Sequence, residues 1–359
     1  MIWKRYFYKE IIRTFCFLLF GFYALYIVLD LMTHIKDLRT QSTSFSTWAI
    51  YYLCTFSRRL DVLIPFSVLI GTIRILIALQ TRNELVALLA SGVPLRTLFG
   101  PFIKASLVAS AILYANFEWA LPIAQPRAIF IQENDFGKRH FEDVTVPIHE
   151  VLLKDASRMI YRSYNPIVHQ FQDVFWIASL DKVYHMKTLT CETERPTGKM
   201  VDLMARNSQG ELEKVASYPE LKLAQMQFDE ESLKNSIMSP RDVSISMLYS
   251  QMKLYRQSMS ERASDVRANF IYKVTFPLLC LLATIAPASY CLAFRRHIPH
   301  FMIYLVAIGG LFCFFLLVQV ALVLAKSQVV SPFVAFGVPW IGAFLGFRKD
   351  YLKVMNGTV

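Results

Sequence analysis

Six stretches of this chain are long and apolar enough to cross a lipid bilayer, or come close to it. A spanning helix needs roughly 20 apolar residues, because hydrocarbon offers no partner to an exposed backbone amide. The runs lie at about Ile11–Leu31, Leu53–Leu79, Leu98–Leu121, Phe270–Phe294, Phe301–Ala325 and Pro332–Phe347. The second carries Arg58, Arg59 and Asp61 at its start and Arg74 inside it, and the sixth is short and interrupted by Pro339. The layout is three spans, a polar insert, then three more. It predicts a membrane protein with residues 1–121 as spans one to three, 122–265 as an inserted domain with a helical connector, and 266–359 as spans four to six.

Composition agrees, and charge supplies orientation. The 359 residues are 55% hydrophobic with a mean hydropathy of +0.38, which argues against a soluble single-domain enzyme. A net charge of +11 in a soluble chain suggests nucleic acid. Here, residues 122–265 hold 18 Lys and Arg against 20 Asp and Glu, so the insert is −2 and the remainder, with 20 basic and 7 acidic residues, is +13. The excess therefore sits in the apolar part, and no basic patch interleaved with aromatics marks the insert, so a nucleic-acid partner is not expected. Lys4, Arg5, Lys9, Arg13, Arg82, Arg96, Arg295, Arg296, Arg348, Lys349 and Lys353 gather at one side, against Lys36, Arg39 and Lys326 in the short loops of the other. The positive-inside rule then puts both termini in the cytoplasm and the insert outside, in the periplasm of a bacterium.

Cys16, Cys54, Cys280, Cys291 and Cys313 fall in apolar runs, which leaves Cys191 alone in the insert and no internal disulfide there. The first apolar run lacks a small-residue cleavage site and reads as a retained anchor. Within the insert, Arg158–Tyr164, Val174–Leu180 and Val183–Leu189 are short, aromatic and β-branched, and turn residues separate them. They predict an all-β sandwich or jelly roll. From Ser244 the pattern turns helical, with Met247, Met252 and Tyr255 on an amphipathic connector into span four.

Enzyme signatures are missing: no phosphate-binding GxxxxGK[ST], no HExxH, no GxSxG and no EF-hand loop. No cofactor or metal is expected, and His297 and His300, beside Arg295 and Arg296, read as a solvated turn. If the protein uses ATP, a partner must bind it. The informative segment is TRNELVALLASGVPLRT between spans two and three. Asn83 can cap a short helix over about 82–92, Glu84 suits its positive end, Leu85, Leu88 and Leu89 form an apolar stripe, and Gly92 with Pro94 ends it. Such a helix has no core of its own, so the stripe is expected to lie on the membrane surface or to dock into another protein.

The run from Pro65 through NELVALLASG, the segment NFEWALPIAQPRA at Asn116–Ala128, LLKDASRMIY in the insert, YKVTFPLL at Tyr272–Leu279 and PFVAFGVPW at Pro332–Trp340 occur in this order. Together with the three-insert-three layout they resemble the LptF/LptG (YjgP/YjgQ) family of lipopolysaccharide export permeases. The EWALP and ASG stretches lean toward the LptG member. The resemblance implies a heterodimer of paralogous permeases, each with a periplasmic jelly roll, seated on a dimer of the ATPase LptB and passing lipopolysaccharide to LptC and a periplasmic bridge. It makes 82–92 the coupling helix, with Glu84, Leu85, Leu88, Leu89 and Gly92 as its elements and Glu84 facing a basic residue of the ATPase. The sequence departs from relatives at Leu89, where Arg or Gln is common, and at Pro94, where Ser or Thr is usual.

A carrier of a phosphorylated, multi-acyl lipid needs cations at the outer headgroup level. Lys36, Arg39, Arg58, Arg59 and Arg127 reach that level by this topology, as phosphate contacts or as interfacial residues that snorkel. Arg74 lies deep in span two, where an ionised side chain costs at least about 2.5 kcal/mol unless it faces a cavity or a partner, so it joins the substrate-contact candidates, with a subunit-interface role or strained snorkelling toward the cytoplasmic face as the alternatives. Two other classes compete with this reading: a MacB or lipoprotein-releasing permease, in which the insert follows the first span, and a lipid-modifying membrane enzyme.

Overall fold

The computed structural model describes residues 2–33, 45–134, 149–153, 157–165, 170–190, 196–207, 210–223, 225–226, 239–255, 261–292 and 299–355. The chain divides into two compact units, one of residues 1–139, 244–249 and 263–359, the other of 140–243 and 250–262.

The first unit is helical. Its elements are α1 (Ile2–Thr33), α2 (Phe45–Thr81), α3 (Glu84–Ala90), α4 (Leu95–Ala115), α5 (Leu121–Asn134), α7 (Glu261–Thr275), α8 (Leu279–Leu292), α9 (His300–Lys326) and α10 (Pro332–Met355). A helix α6 (Ile245–Leu254) precedes α7. Among the described residues five helical stretches are long and apolar enough to cross a membrane: Trp3–Thr33, Phe45–Thr81, Leu95–Ala128, Arg262–Ala288 and His300–Lys326. Pro332–Arg348 is a shorter apolar helix. These elements sit on the six runs read from sequence but outreach them. At 1.5 Å per residue the 37 residues of α2 extend about 55 Å, well beyond a 30 Å hydrocarbon core. The central helix is α2, whose apolar window is 56% buried, whereas the windows of α1 and α9 are 11% buried and present most of their apolar surface outward.

Between α4 and α5 the helix continues through a π turn at Asn116–Ala120. Pro122 follows at once; its ring would collide with the carbonyl four residues back in a regular helix, and a widened turn relieves that collision. The turn is tied on two sides. Asn116 donates to the Ser57 carbonyl at 2.9 Å and accepts from the Ser57 hydroxyl at 2.7 Å. Glu118 accepts from the Ser246 amide at 3.2 Å, and the Ser244 hydroxyl accepts from the Met247 amide at 3.3 Å, so the start of α6 receives two caps. The expectation that Ser244 opens a helix holds. Nearby, Ser110 and Tyr114 donate to the carbonyls of Pro277 and Val274, fastening α4 to the junction between α7 and α8.

The second unit is a six-stranded antiparallel sheet in the order β1 (His149–Leu152), β2 (Arg158–Asn165), β3 (Gln170–Ser179), β4 (Lys182–Thr190), β5 (Thr197–Arg206) and β6 (Leu212–Lys222). Strands β2, β3 and β4 fall on the three segments singled out in the sequence. The described strands form a simple meander, and the double Greek-key wrap of a jelly roll is not among them.

One crease crosses the sheet. Pairing stops at Gln172↔Thr188 and resumes at Val174↔Met186, and likewise stops at Thr188↔Lys199 and resumes at Met186↔Val201. Asp173 and Met200 take positive φ of 54° and 50° on that line. The buried positions consequently shift phase, with Phe171 and Val174, and Met186 and Leu189, inward at spacing three instead of two. Together with Met159, Tyr161, Trp176 and Val201 they form a core, and the Trp176 indole donates to Ser157 at 2.9 Å. Pro219 is tolerated because β6 is an edge strand among the described residues.

Candidate functional site

Helix α3 forms, as the sequence predicts, but its apolar stripe is used differently. Leu85 is 3% exposed and inserts among Phe7 of α1, Leu76 and Leu79 of α2, and Leu98, Phe99 and Phe102 of α4. Leu88 and Leu89 pack against the same core. The short helix therefore has a core within its own chain, which corrects the expectation that its stripe must seek membrane or partner. The reason is tertiary: the first turns of α1 fold Phe7 over the α2–α4 corner and complete a socket that no local pattern announces.

The start of α3 also differs. Asn83 sits at the cap position in a left-handed conformation (φ 58°) and makes no side-chain cap bond. Its contribution is tolerance of positive φ at the corner where α2 ends. The end is a Schellman closure: Gly92, at φ +83°, donates to Leu89 at 3.0 Å and Val93 donates to Leu88 at 3.2 Å. Glu84 keeps 35% of its side chain exposed, 3.8 Å from Arg82, and the Arg82 guanidinium donates to Tyr6 at 3.4 Å. Val86 is 45% exposed, and Ala87 and Ala90 are exposed beside it. The outward face is thus Glu84, Val86, Ala87 and Ala90. Val86 was missed from the sequence, although its place one residue after Leu85 and two before Leu88 turns it away from the leucine stripe.

The cations divide. Arg58 and Arg59 on α2 and Arg127 on α5 are exposed. Arg59 lies 4.7 Å over the Tyr26 ring and donates to the Tyr26 hydroxyl at 3.2 Å. Tyr26 and Tyr52 both donate to Asp30, at 3.3 and 3.2 Å, so Asp30 anchors a tyrosine cluster that orients Arg59. The same end holds Trp48, Tyr51 and Tyr52 of α2 against Ala128 and Ile131 of α5. Arg74 is exposed but sixteen residues beyond Arg58, about 24 Å along the helix, and lies toward α3. It does not join the other arginines. Lys36, Arg39, Cys191 and the Arg295–His297 turn lie outside the described residues.

One buried cation escaped the sequence reading altogether. Lys273 of α7 is 1% exposed, its ammonium 5.7 Å from the Phe117 ring of the π turn, two turns from the Asp265–Lys326 ion pair. Among the described residues no group of three or more His, Cys, Asp or Glu could hold a metal ion.

A bundle of membrane-length helices, an inserted antiparallel sheet and a short helix braced at one end with a carboxylate on its outward side are the architecture of a multi-pass membrane protein with an inserted β unit. The chain matches the family described as lipopolysaccharide export system permease LptF/LptG over residues 5–347, nearly its whole length, and it belongs to that family. No curated protein matches it.

Proposed function

We propose that this permease is one subunit of an ATP-binding-cassette lipopolysaccharide exporter, acting as the receiver of force from a separate ATPase. The observation that carries the reading is the mounting of α3. Three leucines fix it to α1, α2 and α4, while Glu84 and Val86 face outward, so a push on this helix is delivered to three membrane-length helices at once. A carboxylate there fits a basic groove of an LptB-type ATPase dimer. Leu85, Leu88, Leu89 and Gly92 hold the helix, and Glu84 makes the contact.

The remaining assignments follow the family. Helices α1 and α9, the least buried, fit packing against a paralogous LptF/LptG partner, with this chain as the LptG-like member on its EWALP and ASG stretches. Pro332–Arg348 serves as the sixth span, both termini are cytoplasmic, and residues 122–265 comprise a periplasmic domain that closes as a jelly roll and passes lipid to LptC and the bridge. Arg58, Arg59 and Arg127, with Lys36 and Arg39, meet lipid phosphate, and Arg74 serves the subunit interface. No chemistry on the lipid is assigned to this chain. A permease of the MacB or lipoprotein-releasing type carries its insert after the first span, whereas three membrane-length stretches precede the sheet here.

Affinity purification from membranes tests the core of this. Co-isolation of an ATPase that is lost on Glu84→Lys supports it. A chain that purifies alone and still exports lipopolysaccharide overturns it.

A further inference from the structure

The helical unit holds an apolar slot of about 330 Å³ between α1, α2 and α4, in the half of the bundle that carries α3. Its position follows from its walls: Tyr8 in the first turns of α1, Gly71 and Thr72 in the later half of α2, and Phe102 and Lys104 early in α4. The volume is that of a small-molecule site. Gly71 marks how near α1 runs to this wall: a Cβ there would stand 3.6 Å from Thr14 and 3.8 Å from Leu18, ordinary contact.

Two features set this slot apart from a plain seam between helices. The first is Lys104, an exposed cation in the lining, which contains no carboxylate at all. A lysine among Leu107, Val108 and Ile112 on an outward face of a membrane-length helix is costly unless it snorkels to the interface or an anion meets it. The second is Ser67. Its hydroxyl is fully buried in the wall and has no hydrogen-bond partner among the described residues, although a helical serine ordinarily bonds the carbonyl one turn back. It lies five residues from Thr72, about 7 Å deeper along α2. A cation and an unused hydroxyl on the walls of one apolar cavity match an amphiphile that carries a phosphate and ester oxygens next to its acyl chains.

We propose that this slot binds an anionic glycerophospholipid, one acyl chain in the cavity, the phosphate on Lys104 and an ester oxygen on the Ser67 hydroxyl. Phosphatidylglycerol is the simplest such lipid. The site is separate from Arg58, Arg59 and Arg127 and faces outward between α1 and α4. That the lipid comes from the cytoplasmic leaflet rests on the orientation proposed above; binding itself does not.

Native mass spectrometry of the purified full chain in detergent provides the test. Phosphatidylglycerol is titrated against phosphatidylcholine of the same acyl chains, so transport plays no part in the readout. The expected result is preferential retention of phosphatidylglycerol. Lys104→Gln abolishes that preference, weakening phosphatidylglycerol about fivefold, the worth of one lysine at an anionic headgroup. Ala105→Phe, which fills the slot, loses both lipids, and Ser67→Ala weakens both without changing their ratio. Equal retention of the two lipids by the wild type overturns the proposal, as does undiminished phosphatidylglycerol binding in Lys104→Gln. Displacement of the bound lipid by added lipopolysaccharide also overturns it, since the slot would then belong to the exported lipid.

Discussion

Asn116 and Ser57 satisfy each other through a reciprocal pair of hydrogen bonds, 2.9 Å from amide to carbonyl and 2.7 Å from hydroxyl to amide oxygen, across 59 residues of chain. Both are buried, and the pair pins the π turn of one membrane-length helix to the middle of another. Removing one partner leaves the other desolvated and unpaired, at a cost of about 1–3 kcal/mol. Asn116→Ala and Ser57→Ala are each expected to lower thermal stability in detergent. The double variant should cost less than the sum of the two; additive losses would show that the pair does not act as a unit.

Leu85 and Val86 are neighbours with opposite duties. Leu85→Ala opens a void under α3 and should destabilise the helical unit by about 2–5 kcal/mol, read as a lower melting temperature of the purified chain. Val86→Asp, on the exposed face, should leave the melt unchanged and reduce co-purification of the ATPase. A melt lowered by Val86→Asp and untouched by Leu85→Ala would invert the two faces.

Gly198 in β5 lies against the sheet core. A Cβ there would stand 2.7 Å from the Met186 sulfur and 2.9 Å from a Val201 methyl, too close for either to remain in place. Gly198→Ala should therefore destabilise the β unit by about 1–3 kcal/mol through overpacking. Met186→Ala in the same background should recover part of the loss if the sulfur is the obstacle, and hydrogen exchange of the β4 and β5 amides is the measurement.

On the exposed edge of the same sheet, the Lys214 ammonium 2.8 Å from Asp202, together with the Ser217 hydroxyl at 2.6 Å, holds the Asp202 carboxyl below the usual carboxylate range. A carboxyl whose folded value is depressed stabilises the fold fully above its unfolded value, near 3.9, and loses that contribution as pH falls through the folded value. Acid should therefore loosen the β5–β6 edge at a pH below that range. Asp202→Asn should remove this part of the acid response, as read by hydrogen exchange of β6 amides. Superimposable wild-type and variant profiles would refute the assignment.

The helices and three strands were legible because each signal is local. Runs such as Phe301–Ala325 need only length and hydropathy to be read, and Arg158–Tyr164 needs only β-branched and aromatic content. The sheet crease was not legible, because positive φ at Asp173 and Met200 becomes tolerable only where adjacent strands bend together. Nor were the Asn116–Ser57 pair, the burial of Lys273 or the socket for Leu85, each of which joins residues far apart in sequence.

By itself, the sequence determined the membrane class, the placement of a β insert after three apolar helical stretches, the family and the presence of a short acidic helix between the second and third of those stretches, since these depend on hydropathy and motif order. Tertiary structure alone decided what that helix offers. With Phe7 folded over Leu85, the leucine stripe became an anchor and the opposite face, Glu84 and Val86, became the surface. Amphipathic periodicity gives two faces, but which one is inside depends on the apolar surface the rest of the chain brings to it.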